Sequence, residues 1–242
     1  MRLELKKILK INNMKSIILL TLFYSCFCFS QVKTIEYKAI SVDTIMRNIP
    51  NLFKDDILKN NKDVSKVTYT LQFDENNMKF FANKPSEISD FDYDMTLIMA
   101  DIVGTTYRKR NSNEVFNERE SFGNLKNFIA TSKLITDWNI TYETKVINGY
   151  NCIKATTILT IDYGDNEVSK LYPITAWFCP DIKYSYGPRG IGGLPGLILE
   201  LNQSIVTFYA SKIDFVDEKI DISMPTNKKI ITASKIYDDF EE

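Results

Sequence analysis

The sequence predicts a mainly β domain of the α+β class: a curved antiparallel sheet, built as a meander of hairpins, with one or two short helices packed on it. Three observations support this prediction: apolar residues alternate in several segments, turn-forming pairs lie between them, and one stretch has helical spacing. The chain has 242 residues. Without a predicted leader it is still long enough for a single domain with a sizeable core.

The N-terminus has the pattern of a secretory signal peptide. Five basic side chains precede an apolar run from Ile17 to Phe29, and the run ends on the small residue Ser30. This run is shorter than the roughly 20 apolar residues that a membrane-spanning helix needs. We therefore expect a signal peptide over residues 1–30 and a mature domain over residues 31–242.

We expect an exported protein of a Gram-negative cell envelope, periplasmic, associated with the outer membrane, or secreted. Met14 is an alternative start of translation, because Met14-Lys15 and the apolar run already form a complete signal. Lipidation of Cys26 is an alternative that would tether the protein to a membrane. We expect no transmembrane segment after cleavage of the signal.

Composition excludes several classes of function. The chain contains no histidine, which rules out Ser-His-Asp and Cys-His catalysis and His-ligated metals within it. Residues 1–30 hold five of the 30 basic and one of the 31 acidic side chains, so 25 and 30 remain and the net charge is −5. Such a charge does not suit nucleic acid. The sequence predicts no metal and no cofactor, and it favours a binding protein over an enzyme.

Four segments alternate apolar and polar residues with the period of a strand, which predicts sheets with one buried face. They are Ile35-Tyr37-Ala39, Val67-Tyr69-Leu71-Phe73, Ile140-Tyr142-Thr144-Val146 and Val206-Phe208-Ala210. Only Asn51–Asn60 is clearly helical in pattern, with Pro50 at its entry. A long helix elsewhere is not expected, apart from the extreme C-terminus.

Two turn signals define the central hairpins. Asn148-Gly149 favours a two-residue turn that pairs Ile147 with Tyr150, and Asp165-Asn166 favours a second one. In the second hairpin the numbers of paired residues sum to 331, so Cys152 and Cys179 would lie opposite each other. Opposed residues of antiparallel strands are within disulfide distance, which predicts a disulfide in an oxidising compartment. Two unconnected buried thiols are the alternative.

Five of the nine glycines lie in one short segment, Gly187-Pro188-Arg189-Gly190-Ile191-Gly192-Gly193-Leu194-Pro195-Gly196. The segment lacks the residues of a phosphate loop or of a dinucleotide fingerprint. One interpretation is structural, a turn that leads into a buried strand. The other is a binding loop, in which glycine amides and Arg189 hold an anionic or peptide-terminal group. We take as candidate functional residues Gly187, Pro188, Arg189, Gly192, Gly193, Leu194, Pro195 and Gly196.

The residues Gly193-Leu194-Pro195-Gly196-Leu197-Ile198 are the signature of the GLPGLI family of exported bacterial proteins, which this chain resembles. Further similar segments are Gly149-Tyr150-Asn151-Cys152-Ile153-Lys154-Ala155, Ala176-Trp177-Phe178, Ile182, Gly187-Pro188 and Leu201. The resemblance covers nearly the whole predicted mature chain. It implies export and a mainly β domain of unknown function, and it supplies no catalytic residue, cofactor or partner.

Two other groups of residues have a chemical interpretation. Asp90, Asp92 and Asp94 alternate as in a calcium loop, with Asp101 at the twelfth position, but Met95 occupies the place that requires glycine. We interpret the segment as a solvated acidic strand or loop, with a carboxylate pair for acid–base chemistry as the alternative. Core packing is the simpler interpretation of the aromatics around the glycine loop, and a platform for sugars, peptides or lipid tails is the other. They are Tyr172, Trp177, Phe178, Tyr184 and Tyr186.

Together these observations predict an exported cell-envelope protein that acts as a non-enzymatic binding or accessory module. An outer-membrane or other envelope protein, or an apolar or peptide ligand, is the expected partner. A carrier that holds an apolar ligand in a half-open sheet is one alternative. A hydrolase that uses the acidic segment is the other.

Overall fold

The computed structural model describes residues 32–41, 65–102, 104–122, 125–161, 170–203, 206–218 and 220–232. The predicted leader, the predicted helix Asn51–Asn60 and the predicted turn Asp165-Asn166 lie outside these residues. The strands and the helix are, in chain order, β1 (Val32–Ser41), β2 (Thr68–Phe73), β3 (Asn77–Asn83), α1 (Asp90–Met99), β4 (Thr105–Lys109), β5 (Glu114–Phe122), β6 (Leu125–Lys133), β7 (Asn139–Ile147), β8 (Tyr150–Ile161), β9 (Lys170–Cys179), β10 (Leu197–Gln203), β11 (Val206–Glu218) and β12 (Lys229–Thr232).

All twelve strands belong to one sheet, in the order β12-β6-β5-β4-β3-β2-β1-β11-β10-β9-β8-β7. Most neighbours along the chain pair antiparallel, which confirms the predicted meander of hairpins. The exception is β12, which lies parallel to β6, so the sheet is mixed. The mainly β fold with little helix is therefore as predicted.

Strand β1 lies in the interior of the sheet, between β2 and β11. Its residues Ile35, Tyr37 and Ala39 are fully buried, as the alternating pattern predicts. The segments Val67–Phe73 and Val206–Ala210 also bury their predicted faces. These three patterns identify the strands that carry the core, because each places one apolar row on the same side of the sheet.

Aromatic rings fill much of this core. Tyr69 packs edge-on against Phe208 with 5.1 Å between ring centroids, and Phe80 lies 6.2 Å from both rings. The buried hydroxyl of Tyr37 donates a 2.6 Å hydrogen bond to the carbonyl oxygen of Ile198 in β10. This bond connects the centre of the sheet to the strand that follows the glycine-rich loop.

The turn Asn148-Gly149 forms as predicted. Ile147 pairs with Tyr150, and both turn residues have positive φ, 48° for Asn148 and 82° for Gly149. Such a turn matches the twist of the two strands that it joins. The predicted register of β8 with β9 is also confirmed, because the pairs run from Ile153–Phe178 to Ile161–Lys170 and each sums to 331.

The prediction that the apolar row of β7 is buried is wrong. Ile140, Tyr142 and Val146 have 47%, 103% and 66% of their surface exposed. The reason is topological: β7 ends the sheet, and among the described residues it pairs only with β8. Periodicity of two indicates a strand but does not say what covers its apolar face.

The helix α1 corrects the interpretation of the acidic segment as a strand or loop. Ser89 caps its N-terminus, accepting a 3.1 Å hydrogen bond from the backbone N–H of Asp92. Asp90 and Asp92 lie in the first turn, where carboxylates interact favourably with the helix dipole.

In the part of the chain that the structure describes, no helix has the length and apolar character needed to cross a membrane.

Candidate functional site

The glycine-rich loop lies within the connection from β9 to β10, residues 180–196, which we call the strap. The strap reaches across the sheet as far as β4 and β5. Its Gly190 lies so close to these strands that an added Cβ would overlap Val115 and lie 2.9 Å from Thr106. Near its other end, Tyr184 packs on Phe73 of β2 with 4.8 Å between ring centroids. The strap thus joins strands that are far apart in the sheet.

Two glycines of the strap are required by close approach. A Cβ on Gly196 would overlap the carbonyl group of Cys179, and a Cβ on Gly192 would overlap both Arg108 and the carbonyl oxygen of Ser185. Backbone atoms cannot move aside as the end of a flexible side chain can. This packing supports the structural interpretation of the glycine-rich segment.

Polar groups of the strap are largely bonded within the protein. The N–H of Gly193 donates to the hydroxyl of Ser185 at 2.9 Å, and the indole N–H of Trp138 donates to the carbonyl oxygen of Gly192 at 2.9 Å. Pro188 to Ile191 forms a tight turn, in which the N–H of Ile191 donates to the carbonyl oxygen of Pro188 at 3.0 Å. This geometry therefore does not favour a concave anion-binding nest of free glycine N–H groups.

Arg189 has φ of 59°, which is uncommon for a residue with a side chain. Its guanidinium donates to Oδ2 of Asp101 and, at 2.7 Å, to Oε1 of Gln203. Asp101 also has positive φ, 52°. The two side-chain bonds hold this strained turn in place, so the guanidinium predicted to bind an anion is already used.

A second arginine, Arg108 of β4, lies beneath the strap. It is 2% exposed, and its guanidinium donates to the carbonyl oxygens of Ser185 and Gly190. Burial lowers the pKa of Arg108 to about 10, and the group remains charged at neutral pH. Among the described residues no carboxylate forms an ion pair with Arg108. Its positive charge therefore has no bonded anion among them.

Two buried polar atoms in this place have no hydrogen-bond partner among the described residues. They are Nε of Arg108 and the hydroxyl of Tyr186, and the guanidinium lies 4.9 Å from the Tyr186 ring. Burial raises the pKa of Tyr186 to about 12, although the positive charges of Arg108 and Arg110 act in the opposite direction. An unsatisfied buried donor is expensive and calls for an explanation.

Aromatic and basic side chains continue from this point towards solvent. Tyr184 is half-buried and stacks on Tyr186 at 6.5 Å, and Nζ of Lys33 lies 5.4 Å from the Tyr184 ring centroid. Arg110 is exposed. We call these five side chains, Lys33, Arg108, Arg110, Tyr184 and Tyr186, the cationic–aromatic cluster.

The nearby carboxylate of Asp74 does not bond to the cluster. It is buried and accepts hydrogen bonds from the backbone N–H groups of Asn76 and Asn77, at 2.6 and 2.7 Å. Its charge is close enough to raise the pKa of Tyr186, after the larger effect of burial. The cluster therefore keeps an excess of positive charge beside one carboxylate that the backbone already engages.

The predicted disulfide is not shown: Cys152 and Cys179 are both buried and unbridged in the structure. The predicted register runs to Ile153–Phe178, one pair short of the two cysteines, and Cys179 is close enough to contribute to the raised pKa of Cys152. Cys179 pairs with Leu197 of β10, and Cys152 pairs with Lys145 of β7. Burial raises the pKa of the Cys152 thiol to about 12, as expected of a small buried side chain rather than a nucleophile.

Phe178 and Trp177, two further aromatic residues near the glycine-rich loop, differ in burial. Phe178 is 1% exposed and belongs to the core. Trp177 is half-buried, with Nζ of Lys145 4.3 Å from its ring centroid, and Lys145 also bonds to Glu200 at 2.6 Å. The ring of Trp177 is therefore covered by a cation of the same chain.

The acidic segment offers no metal site. Among the described residues no group of three or more cysteine, aspartate or glutamate side chains is placed to hold a metal ion. Asp90 bonds to Lys84, and Asp92 bonds to Ser89 at the start of α1. These contacts at the start of α1 account for the positions of Asp90 and Asp92.

Sequence reasoning missed Arg108, Arg110 and Lys33. Arg108 lies in the polar strand Thr105–Lys109, so the local sequence does not show that this charge is buried and needs a partner. Its partners are backbone carbonyls in the strap, 77 and 82 residues further along the chain. No local pattern connects them.

Comparison with known proteins gives limited information on function. A family model described as "Protein of unknown function (Porph_ging)" matches residues 161–200, which include the strap and the start of β10. No curated protein matches the chain.

Solved structures of similar fold exist. Two are titled "Structure of PNGF-II in P21 space group" and "Structure of PNGF-II in C2 space group", with TM-scores of 0.52 and 0.51. Each is 19% identical to this chain over 86% of its length, and the match covers 33% and 32% of those chains. The chain thus spans about a third of the structures it matches, and what it shares with them is the fold.

Proposed function

We propose that this protein is an exported binding or accessory module of the cell envelope, of the GLPGLI type, and that it recognises a carboxylate-bearing group of a peptide or an envelope protein at the cationic–aromatic cluster. The observation that carries the proposal is the guanidinium of Arg108, which is buried without an ion-pair partner among the described residues. A buried positive charge is stabilised by an anion. The proposed ligand supplies that charge.

The side chains around Arg108 suit an anionic group. Tyr184 provides a half-buried ring with Nζ of Lys33 5.4 Å from its centroid, and Arg110 is a further positive charge close enough to act on the pKa of Tyr186. Arginine and lysine together with aromatic rings are the usual means of holding a carboxylate and its attached chain. The same arrangement explains why the strap is held so tightly: it supports Tyr184 and Tyr186.

The core weighs against the alternative of an apolar carrier. Tyr37, Tyr69, Phe80 and Phe208 pack against one another at ring distances of 5.1 to 6.3 Å. They occupy the face of the sheet on which a carrier would place its ligand. The hydrolase alternative has less support, because Asp90 and Asp92 are engaged with Lys84 and Ser89 at the start of α1.

The proposal is tested by titrating the protein with a short unstructured peptide that has a free C-terminal carboxylate, and with the same peptide as its amide. Trp138 bonds to the strap, so its fluorescence is a built-in signal, and calorimetry gives the affinity. We expect binding of the carboxylate form alone, weakened about tenfold by Lys33→Gln because one charged contact is lost.

Lys183→Gln is the matched control, since Lys183 is an exposed lysine of the same strap. It should leave the affinity unchanged. Equal binding of the amide, or equal effects of the two lysine substitutions, would contradict the proposal.

A further inference from the structure

Two cysteines in the described part of the chain carry an inference that does not depend on the proposed carboxylate site. Strands β8 and β9 pair in an unbroken register that ends at Ile153–Phe178. The next residues along the two strands are Cys152 and Cys179. The register therefore leads directly to the two thiols.

Both strands continue beyond that last pair. Cys152 lies within β8, where it pairs with Lys145 of β7. Cys179 is the last residue of β9, where it pairs with Leu197 of β10. One further step of the register thus sets the two cysteines opposite each other. Opposed residues of antiparallel strands have Cα atoms about 4.5–5.5 Å apart, a range that suits a disulfide.

The surroundings of the thiols agree with this placement. Both side chains are fully buried, and both belong to one apolar cluster of the core. Burial is the main cause of the raised pKa of Cys152, and the second cause is the charge of Cys179, which requires the two thiols to be near each other. The structure shows the pair in its reduced form.

We propose that Cys152 and Cys179 form a disulfide, and that this bridge forms before the sheet closes over the two thiols. The oxidant is itself a disulfide. In the cell it is the active-site disulfide of a thiol–disulfide oxidoreductase, which rests on the proposed export because the bacterial periplasm is oxidising. The pairing of the two thiols does not rest on it.

The chemistry is thiol–disulfide exchange in two steps. The thiolate of one cysteine attacks a sulfur of the oxidant and releases a thiolate, which leaves a mixed disulfide. The thiolate of the other cysteine then attacks the first cysteine's sulfur and releases the rest of the oxidant. The two cysteines together lose two protons and two electrons, and the oxidant disulfide becomes two thiols.

The order of events follows from the burial of the pair. Exchange needs a thiolate that the oxidant can reach. In the folded protein neither cysteine is exposed, and the pKa of Cys152 is raised to about 12, mainly by burial. A protein that folds reduced therefore stays reduced, and a protein that folds with the bridge keeps it.

A bridge at this position fastens the strap where it begins. Cys179 is the last residue before the strap, and its carbonyl oxygen accepts a 3.3 Å hydrogen bond from the N–H of Ile182. Gly196, at the other end of the strap, packs against the same carbonyl group. The disulfide thus connects both ends of the strap to β8.

The first test refolds the reduced, urea-unfolded protein in a mixture of reduced and oxidised glutathione. Free thiols are then blocked with iodoacetamide in urea, and the protein is digested with trypsin without reduction. Cleavage after lysine places the two cysteines in residues 146–154 and 171–183, and those of the predicted leader in residues 16–33. We expect the first two peptides to be joined, and to separate when a reductant is added.

Cys152→Ser is the matched control. Its digest should contain residues 171–183 with Cys179 blocked by iodoacetamide or by glutathione, and not joined to another peptide. Free, blocked thiols in both peptides of the unsubstituted protein overturn the proposal. Joining of residues 171–183 to residues 16–33 in their place does so as well.

The second test measures the order of events. Protein refolded under a reductant is freed of it and exposed to oxidised glutathione, with and without urea at an unfolding concentration. We expect the bridge to form at least about a hundredfold more slowly in the folded protein, because an accessible thiolate is scarce there. Equal rates in the two conditions overturn the proposed order.

Discussion

Single residues decide how closely the strap lies on the sheet. Gly192 and Gly196 leave room for a guanidinium and for a backbone carbonyl, and Arg108 bonds to two carbonyl oxygens of the strap. Tyr37 binds the strand that follows. The glycine-rich segment is thus held at its middle and at its end by side chains from other parts of the chain.

Replacement of Gly196 by alanine tests this close packing. We expect Gly196→Ala to lower the free energy of unfolding by about 1–3 kcal/mol, as overpacking does in other cores. Urea denaturation measures the change. The control is Gly149→Asn, where no atom lies within 4 Å of the added Cβ and asparagine tolerates positive φ.

Gly149→Asn should cost less than Gly196→Ala. If the two substitutions destabilise the protein equally, glycine at 196 is not required by contact with Cys179, and the account of the strap fails at its end.

Residues of the candidate site were only partly predictable. The glycine cluster indicated the right region, because a high density of glycines indicates close backbone packing whether the loop is structural or binds a ligand. The proposed ligand contacts, however, come from Lys33, Arg108 and Arg110, which lie on strands and turns far from the glycines in sequence. Long-range contacts of this kind leave no periodic trace in the chain.

Elements of secondary structure were predictable where the local turn sequence agrees with the strand pairing in the sheet. Asn148-Gly149 determined a hairpin because few other residues accept positive φ in succession. Helix α1 was missed because alternating aspartates resemble a polar strand. Ser89 three residues before Asp92 was the cap signal that identifies its start.

Removing that cap tests the role of Ser89. Ser89→Ala should lower the free energy of unfolding by about 1 kcal/mol, because the N–H of Asp92 loses its acceptor. Denaturation by urea measures the difference. Ser86→Ala is the control, since the Ser86 hydroxyl bonds only to the exposed side chain of Glu87 among described residues.

A loss of stability in Ser86→Ala equal to that in Ser89→Ala would show that hydroxyl removal, rather than capping, is responsible. Helix content followed by circular dichroism gives a second reading, because loss of the cap should fray α1 first.

The whole molecule depends on one sheet whose core is rich in buried tyrosines. Burial raises the pKa values of Tyr37 and Tyr69 well above the usual range, that of Tyr186 to about 12, and that of Cys152 to about 12. The mainly β class of this sheet was predictable from alternation. Its strand order was not, because pairing of β1 with β11 connects opposite ends of the chain.

Alkaline pH should therefore destabilise the protein. Unfolded tyrosine and cysteine ionise near pH 10 and 8.5. Above those values the unfolded state loses protons that the folded state keeps, so stability is complete below about pH 8 and falls as pH rises towards the folded pKa values. Each group contributes a slope of about 1.4 kcal/mol per pH unit within its window.

Urea denaturation at a series of alkaline pH values measures this fall. Absorbance of tyrosinate gives an independent reading, because the buried fraction of the 13 tyrosines should ionise together with unfolding. Smooth ionisation of all tyrosines near pH 10 in the folded protein would contradict the prediction.

The position of β1 also determines when this protein can fold as it is synthesised. One neighbour, β2, emerges within about 40 residues of β1, whereas the other, β11, extends to Glu218. A chain that emerges from its N-terminus therefore leaves one side of β1 unpaired until β11, which begins at Val206, has emerged. The sheet is completed on that side in a late step of folding.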